Sequence, residues 1–182
     1  MQCVQRRNGI DRLDAMLLEI IPDWTMAPVV AAFQAVRGVG FTSAATLVAE
    51  AGDIRRFDHP RQLMAFLGLV PSERSTGETR RQGGIIKIGN SRARKALIEA
   101  AWTYRHPAGI GRHHQDRQAH LPEQIRSIAW KAQVRLCARY RRLMARGKRK
   151  TVATTAVARE IAAFLWDIAR HVEPVPTRLA AT

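Results

Sequence analysis

Apolar positions recur at steps of three and four along most of the chain, the mark of helices that turn one face inward. Residues 9–21 place Ile10, Leu13, Leu17 and Ile20 on one stripe, which Pro22 stops. The stripe fits the end of a helical linker or coiled coil over residues 1–24, or a plain N-terminal helix lying on the domain. Residues 28–51 read as two helices around a glycine turn, "RGVGFTSAATLVAE". Val29, Val30, Phe33 and Val36 line the first helix, and Ala44, Ala45, Leu47 and Val48 the second. Asp58 is the expected N-cap of the next helix, with Pro60 in its first turn. Leu63, Met64 and Leu67 give that helix its apolar face and Gly68 its end. Gly89-Asn90 caps a further helix carrying Ala93, Ala96, Leu97, Ala100 and Tyr104. The clearest helix runs over 121–146, with Ile125, Ala129, Ala132, Leu136, Tyr140 and Leu143 on one stripe. The last spans 151–172 around Val157, Ile161, Phe164, Leu165 and Ile168.

Between these helices the pattern fails twice. "HPAGIGRHHQDRQAH", residues 106–120, has no apolar period and reads as a loop. It holds His106, His113, His114 and His120, but without i, i+4 spacing and without a cysteine or a well-placed acid beside them, so no metal site is expected there. "VPSERSTGETRRQGGIIKIGN", Val70–Asn90, is too polar and glycine-rich for a buried helix. Arg74–Arg81 and Ile85–Ile88 fit a short β-hairpin turning near Gly83 and Gly84, or an irregular loop. The expected fold is mainly α, a helical domain over 25–172 with a helix-hairpin-helix and one glycine-rich loop or β-hairpin inserted. The tail 173–182 is expected to be disordered.

Charge narrows the choice of partner. Thirty Lys and Arg stand against fifteen Asp and Glu, a formal net charge of +15, and most of the cations are arginine. That excess favours a polyanion, nucleic acid above all. Lys131, Arg135, Arg139, Arg142 and Arg146 form a stripe beside the apolar face of the 121–146 helix, extended by "RGKRK". Like charges at this spacing cost an isolated helix about 0.2–0.5 kcal/mol per pair, a cost that a phosphate backbone would offset. Arg92, Arg94 and Lys95 crowd a helix N-terminus, where cations oppose the helix dipole unless an anion sits there. In the turn Arg37-Gly38-Val39-Gly40, backbone N–H groups can approach a phosphate closely. Cys3 and Cys137 lack metal-ligand spacing and predict a reducing, cytoplasmic setting. No apolar run is long enough to span a bilayer.

The motifs, taken in order, resemble the C-terminal transposase domain of the insertion-sequence 110 (also 116 and 902) family. The resemblance rests on the glycine hairpin, Ala49–Phe57, Leu67–Pro71, Ser75–Gly77, Gly84–Asn90 and Glu99–Trp102. The downstream "IAWKAQVRLCARYRRLMARGK" also resembles family members, so the likeness runs from about Pro22 to Arg170. It implies a DNA recombinase that moves an insertion element, guided by a structured RNA. An N-terminal nuclease domain would carry four acids (Asp, Glu, Asp, Asp) that bind Mg²⁺, and the C-terminal domain would supply a serine that becomes joined to DNA. The chain is too short for that nuclease domain. Asp11, Asp14 and Glu19 fall on a helix rather than in the strands such a site needs. A C-terminal fragment without its own cofactor is therefore expected, with DNA, a guide RNA, further copies or a full-length transposase as partners.

On this resemblance Ser75, first in S-T-G, is the candidate nucleophile, and Ser72 is its rival. Gly77 permits close backbone approach, and Arg74, Arg80, Arg81 and Lys87 stand near in sequence to clamp phosphate oxygens. From residue chemistry alone, a serine in a basic glycine loop reads as a turn or a phosphate contact. A fragment that binds DNA or RNA and cleaves nothing is the alternative.

Overall fold

The computed structural model describes residues 2–76 and 79–175, with side chains at position 9 and over 11–72 and 83–175. Eight helices and one hairpin follow in chain order: α1 Gln2–Ile20, α2 Ala27–Phe33, α3 Phe41–Ala51, α4 Pro60–Phe66, β1 Pro71–Thr76, β2 Thr79–Ile85, α5 Ser91–Ala101, α6 Arg112–Gln118, α7 Glu123–Ala145 and α8 Lys150–Ala169. The fold is mainly α, with a single antiparallel pair inserted between α4 and α5. Among the described residues no helix is long and apolar enough to cross a membrane.

The core is organised around α8, which packs on α2, α4, α5 and α7. Its sequence explains this position. Ala153, Ala158, Ala162 and Ala169 are buried beside Val157, Ile161, Leu165 and Ile168, so the helix meets neighbours on several sides. Small residues let those neighbours approach closely. Phe164, expected on the same core face, is only partly buried, because the face beyond it is left open. On α7 the expected stripe is buried from Ile125 to Tyr140, and Leu143 packs at its edge.

Two expectations about the helices change. The N-cap of α4 is His59, not Asp58: the His59 ring Nδ1 accepts from Arg61 N at 3.1 Å, and Pro60 follows at the first helical position. Asp58 N–H instead donates to Gln62 Oε1 at 2.9 Å. The stretch 106–120 is not all loop, since it contains α6. This helix has no apolar period because polar anchors hold it. Gln118 is buried and donates to Ala35 O at 2.8 Å, and Gln133 of α7 donates to Gly109 O at 2.6 Å. A buried amide left without such partners costs about 1–3 kcal/mol.

Helix α1 starts earlier than its apolar stripe suggests. Leu17 packs on the core, but Leu13 and Ile20 stay 61% and 62% exposed, so the stripe is largely unused by the described residues. Residues past α8 turn back along the domain: Glu173 pairs with Arg55 at 3.0 Å and Val175 N–H donates to Thr25 O at 2.9 Å. Residues 176–182 of the expected disordered tail lie outside the described residues.

Candidate functional site

The hairpin carries the candidate nucleophile. Its register pairs Arg74 with Arg81, Ser75 with Arg80 and Thr76 with Thr79. Four of the predicted residues thus occupy two neighbouring rungs of one ladder. The side chains of residues 73–82 lie outside the described ones, as do Gly77 and Glu78 entirely. Gly83 and Gly84, expected at the turn, sit inside β2 instead. They lie opposite an irregularity between Pro71 and Glu73, where Ser72 Oγ donates to Gly84 O at 3.1 Å. A Cβ on Gly83 would collide with that hydroxyl. Gly83 therefore makes room across the ladder, and neither glycine reverses the chain.

The hairpin is seated by its flanks. Ile86 N–H donates to Val70 O at 2.9 Å, Lys87 N–H to Gly68 O at 3.3 Å and Asn90 N–H to Phe66 O at 3.0 Å. The two motifs on either side of the hairpin, Leu67–Pro71 and Gly84–Asn90, are thus one structural unit. Lys87 is exposed, with a φ of 60°. Arg94 is committed to this unit, with its guanidinium on Leu67 O at 2.9 Å. Asn90 caps α5 by accepting from Ala93 N at 2.9 Å, while its amide donates to Glu50 Oε2 at 2.6 Å. Glu50 also faces Arg92 at 3.4 Å. One acid from α3 thus offsets part of the basic N-terminus of α5.

In the glycine turn between α2 and α3, the three predicted DNA contacts separate. Arg37 reaches away, donating to Pro107 O at 2.7 Å. Gly38 has a φ of 84°, and a Cβ there would strike Ala100 O and sit 2.8 Å from Thr103 Oγ1. It is glycine because the turn presses on the end of α5. Only Gly40 is open: it caps α3 with no side-chain bond, and nothing stands within 4 Å of where its Cβ would be. Close by, Thr42 Oγ1 donates to Asp14 Oδ1 at 3.1 Å, which ties α1 to the start of α3.

The basic stripe on α7 also divides. Glu160 of α8 lies 2.9 Å from Arg135 Nε and pairs with Arg139 as well. Sequence reasoning missed this acid because it stands on a different helix. Lys131, Arg142 and Arg146 are exposed and have no acid partner among the described residues. Of the four histidines in residues 106–120, only His114 is partly buried. Its ring lies 3.2 Å from Arg117 Nη2 and 2.9 Å from Gln118 Nε2, and burial, then the Arg117 charge, hold its pKa below the ordinary histidine value. No group of three His, Cys, Asp or Glu side chains among the described residues is placed to hold a metal ion. The metal chemistry implied by the resemblance has no ligand set on them.

The description "Transposase IS116/IS110/IS902 family" matches residues 30–115, from α2 through the hairpin and α5 into α6. A candidate transposase of Sinorhizobium fredii, y4qE, is 54% identical over 161 residues, which is 88% of this chain and 41% of that protein. The transposase for insertion sequence element IS1111A of Coxiella burnetii is 44% identical over 68 residues, 37% of this chain and 19% of its own length. The chain spans well under half of each of these relatives.

Proposed function

The chain belongs to the IS116/IS110/IS902 transposase family, and we propose that it is the DNA-binding part of a recombinase that supplies a serine nucleophile during DNA transposition. The observation that carries this reading is the register of the hairpin, which sets Ser75 across from Arg80 and one rung from the Arg74–Arg81 pair. Ser75 Oγ attacks the phosphorus of a DNA phosphodiester. A serine–phosphate bond forms, the bond to one deoxyribose oxygen breaks, and that oxygen leaves with a proton as a free hydroxyl. Arg80, which the register sets opposite Ser75, neutralises charge that builds on the non-bridging oxygens. On this reading the acids that would complete the reaction belong to a separate nuclease domain.

The test is a covalent one. The chain is mixed with element-end DNA, with and without a relative's nuclease domain and guide RNA, and the products are separated under denaturing conditions. The expected result is a protein–DNA adduct in the complete mixture, with the phosphopeptide mapping to Ser75. An adduct on another residue overturns the assignment. Salt-dependent DNA binding with no adduct in any mixture moves the reading to a fragment that binds and does not cleave.

Binding itself rests on Lys131, Arg142, Arg146 and the open turn at Gly40. Each phosphate contact contributes about 0.9 to the slope of log affinity against log salt on duplex DNA. Replacing Lys131, Arg142 and Arg146 together by alanine should therefore lower the slope by roughly two to three units. The pair Arg135→Ala and Arg139→Ala should change it less, because Glu160 already occupies both side chains. Equal effects from the two sets, measured by fluorescence anisotropy over a salt series, would refute this division of the stripe.

A further inference from the structure

Cations explain a duplex backbone contact, but they do not explain an indole left in the open beside them. Trp130 of α7 is 43% exposed and Val134, one helical turn on, is 45% exposed. The indole is unlike that of Trp166, which donates to Phe57 O at 2.6 Å and has Arg170 over its ring at 4.8 Å. Trp130 forms a ridge between two clefts. One, of about 480 Å³, lies between α7 and α8 and is walled by Val134, Phe164, Lys131 and Arg135. The other, of about 770 Å³, lies toward α6 and is lined by Ile110, Gln115, Arg126 and Ser127, with Glu123 as its acid. Arg126, Trp130 and Val134 are each one turn apart on α7, about 6 Å along the axis.

We infer that this ridge is a stacking platform for an unpaired base of single-stranded DNA. The site combines what such a ligand requires: an exposed aromatic face, an apolar floor from Val134 and Phe164, and flanking cations to follow the sugar–phosphate chain. Arg126 and Lys131 take the phosphate role. Arg135 forms a fixed wall, because Glu160 holds its guanidinium. Charge complementarity selects the occupant. Lys131 and Arg126 flank the indole on a chain of net charge +15, and a strand brings both a base for the indole and phosphates for the cations. The platform rests on the reading of the chain as DNA-binding and is independent of the role of Ser75.

The test compares dT12 with a duplex of the same length on the full chain. Single-stranded dT12 should quench tryptophan emission. Trp130→Ala should weaken dT12 binding about tenfold, the effect of losing one stacked base, while duplex binding stays within twofold. Trp130→Phe should retain most of the affinity. Crosslinking of 5-iodouracil in the same oligonucleotide should label the peptide that contains Trp130, a readout that requires no variant. The inference is overturned if dT12 binds Trp130→Ala as it binds the native chain, if single strand and duplex lose affinity equally, or if crosslinks fall only elsewhere. An rU12 strand that binds where dT12 does not overturns the DNA occupant. Self-association abolished by Trp130→Ala assigns the ridge to a second copy and likewise overturns it. Loss of duplex binding by the native chain would instead count against the broader DNA-binding reading.

Discussion

Ser75→Ala should remove the protein–DNA adduct completely, a loss of at least about a thousandfold, because an alanine cannot form the phosphate ester and nothing else in the reaction replaces the missing oxygen. DNA affinity should be nearly unchanged, since the stripe and the turn are untouched. Ser72→Ala is the informative companion. The Ser72 hydroxyl already donates to Gly84 O, and it fills the space that Gly83 leaves open. It behaves as part of the ladder, so its loss should lower adduct formation by no more than about threefold, in line with the net worth of one hydrogen bond near a surface. The two variants run side by side on a denaturing gel decide between the serines. An adduct that survives in Ser75→Ala and vanishes in Ser72→Ala reverses the assignment.

Gly89→Ala should destabilise the whole domain by about 3–5 kcal/mol and lower the melting temperature by about 10 °C or more. Two penalties combine. The φ of 133° is one that a residue with a Cβ rarely adopts, and the added carbon would run into Phe66 O and lie 2.9 Å from Gly68 N. Both obstacles are backbone, so no rotamer change relieves them. The bonds at risk are those that seat the hairpin: Asn90 N–H on Phe66 O and Lys87 N–H on Gly68 O. Gly84→Ala is the control. Nothing lies within 4 Å of its Cβ position and its φ is ordinary, so its melting temperature should stay within about 2 °C of native. Equal melting of the two variants, followed by circular dichroism, would show that residues 66–70 and 86–90 do not act as one unit.

The long helices were legible because burial imposes a period. On α7 and α8 the residues spaced at three and four are the ones that face the core, with Leu143 and Phe164 only partly buried at its edge. Helix α6 was not legible, because its anchors are amides and those leave no apolar trace. The polar, glycine-rich stretch allowed a hairpin or an irregular loop, and the turn expected near Gly83 and Gly84 was misplaced, since both lie inside β2 and Gly83 answers to crowding by Ser72. Side-chain role was the least legible layer. Arg37, Arg94, Arg135 and Arg139 look alike as charges in a sequence, and only the fold reveals that carbonyls or Glu160 already engage them. Trp130 escaped notice for the opposite reason. Its neighbours in sequence belong to a well-formed helix, and exposure of an indole is visible only once α8 is in place.

The central position of α8 has a consequence for how the protein is made. Helices α2, α4, α5 and α7 all lean on a segment that begins at Lys150, so all four leave the ribosome before the piece that covers their apolar faces. At about 5–20 residues per second, the twenty residues of α8 take roughly one to four seconds to follow. During that interval the nascent chain is strongly cationic and lacks its central packing partner. Any nucleic acid or chaperone in reach meets it first as an open set of amphipathic helices, and the binding surface takes its final shape only when α8 arrives.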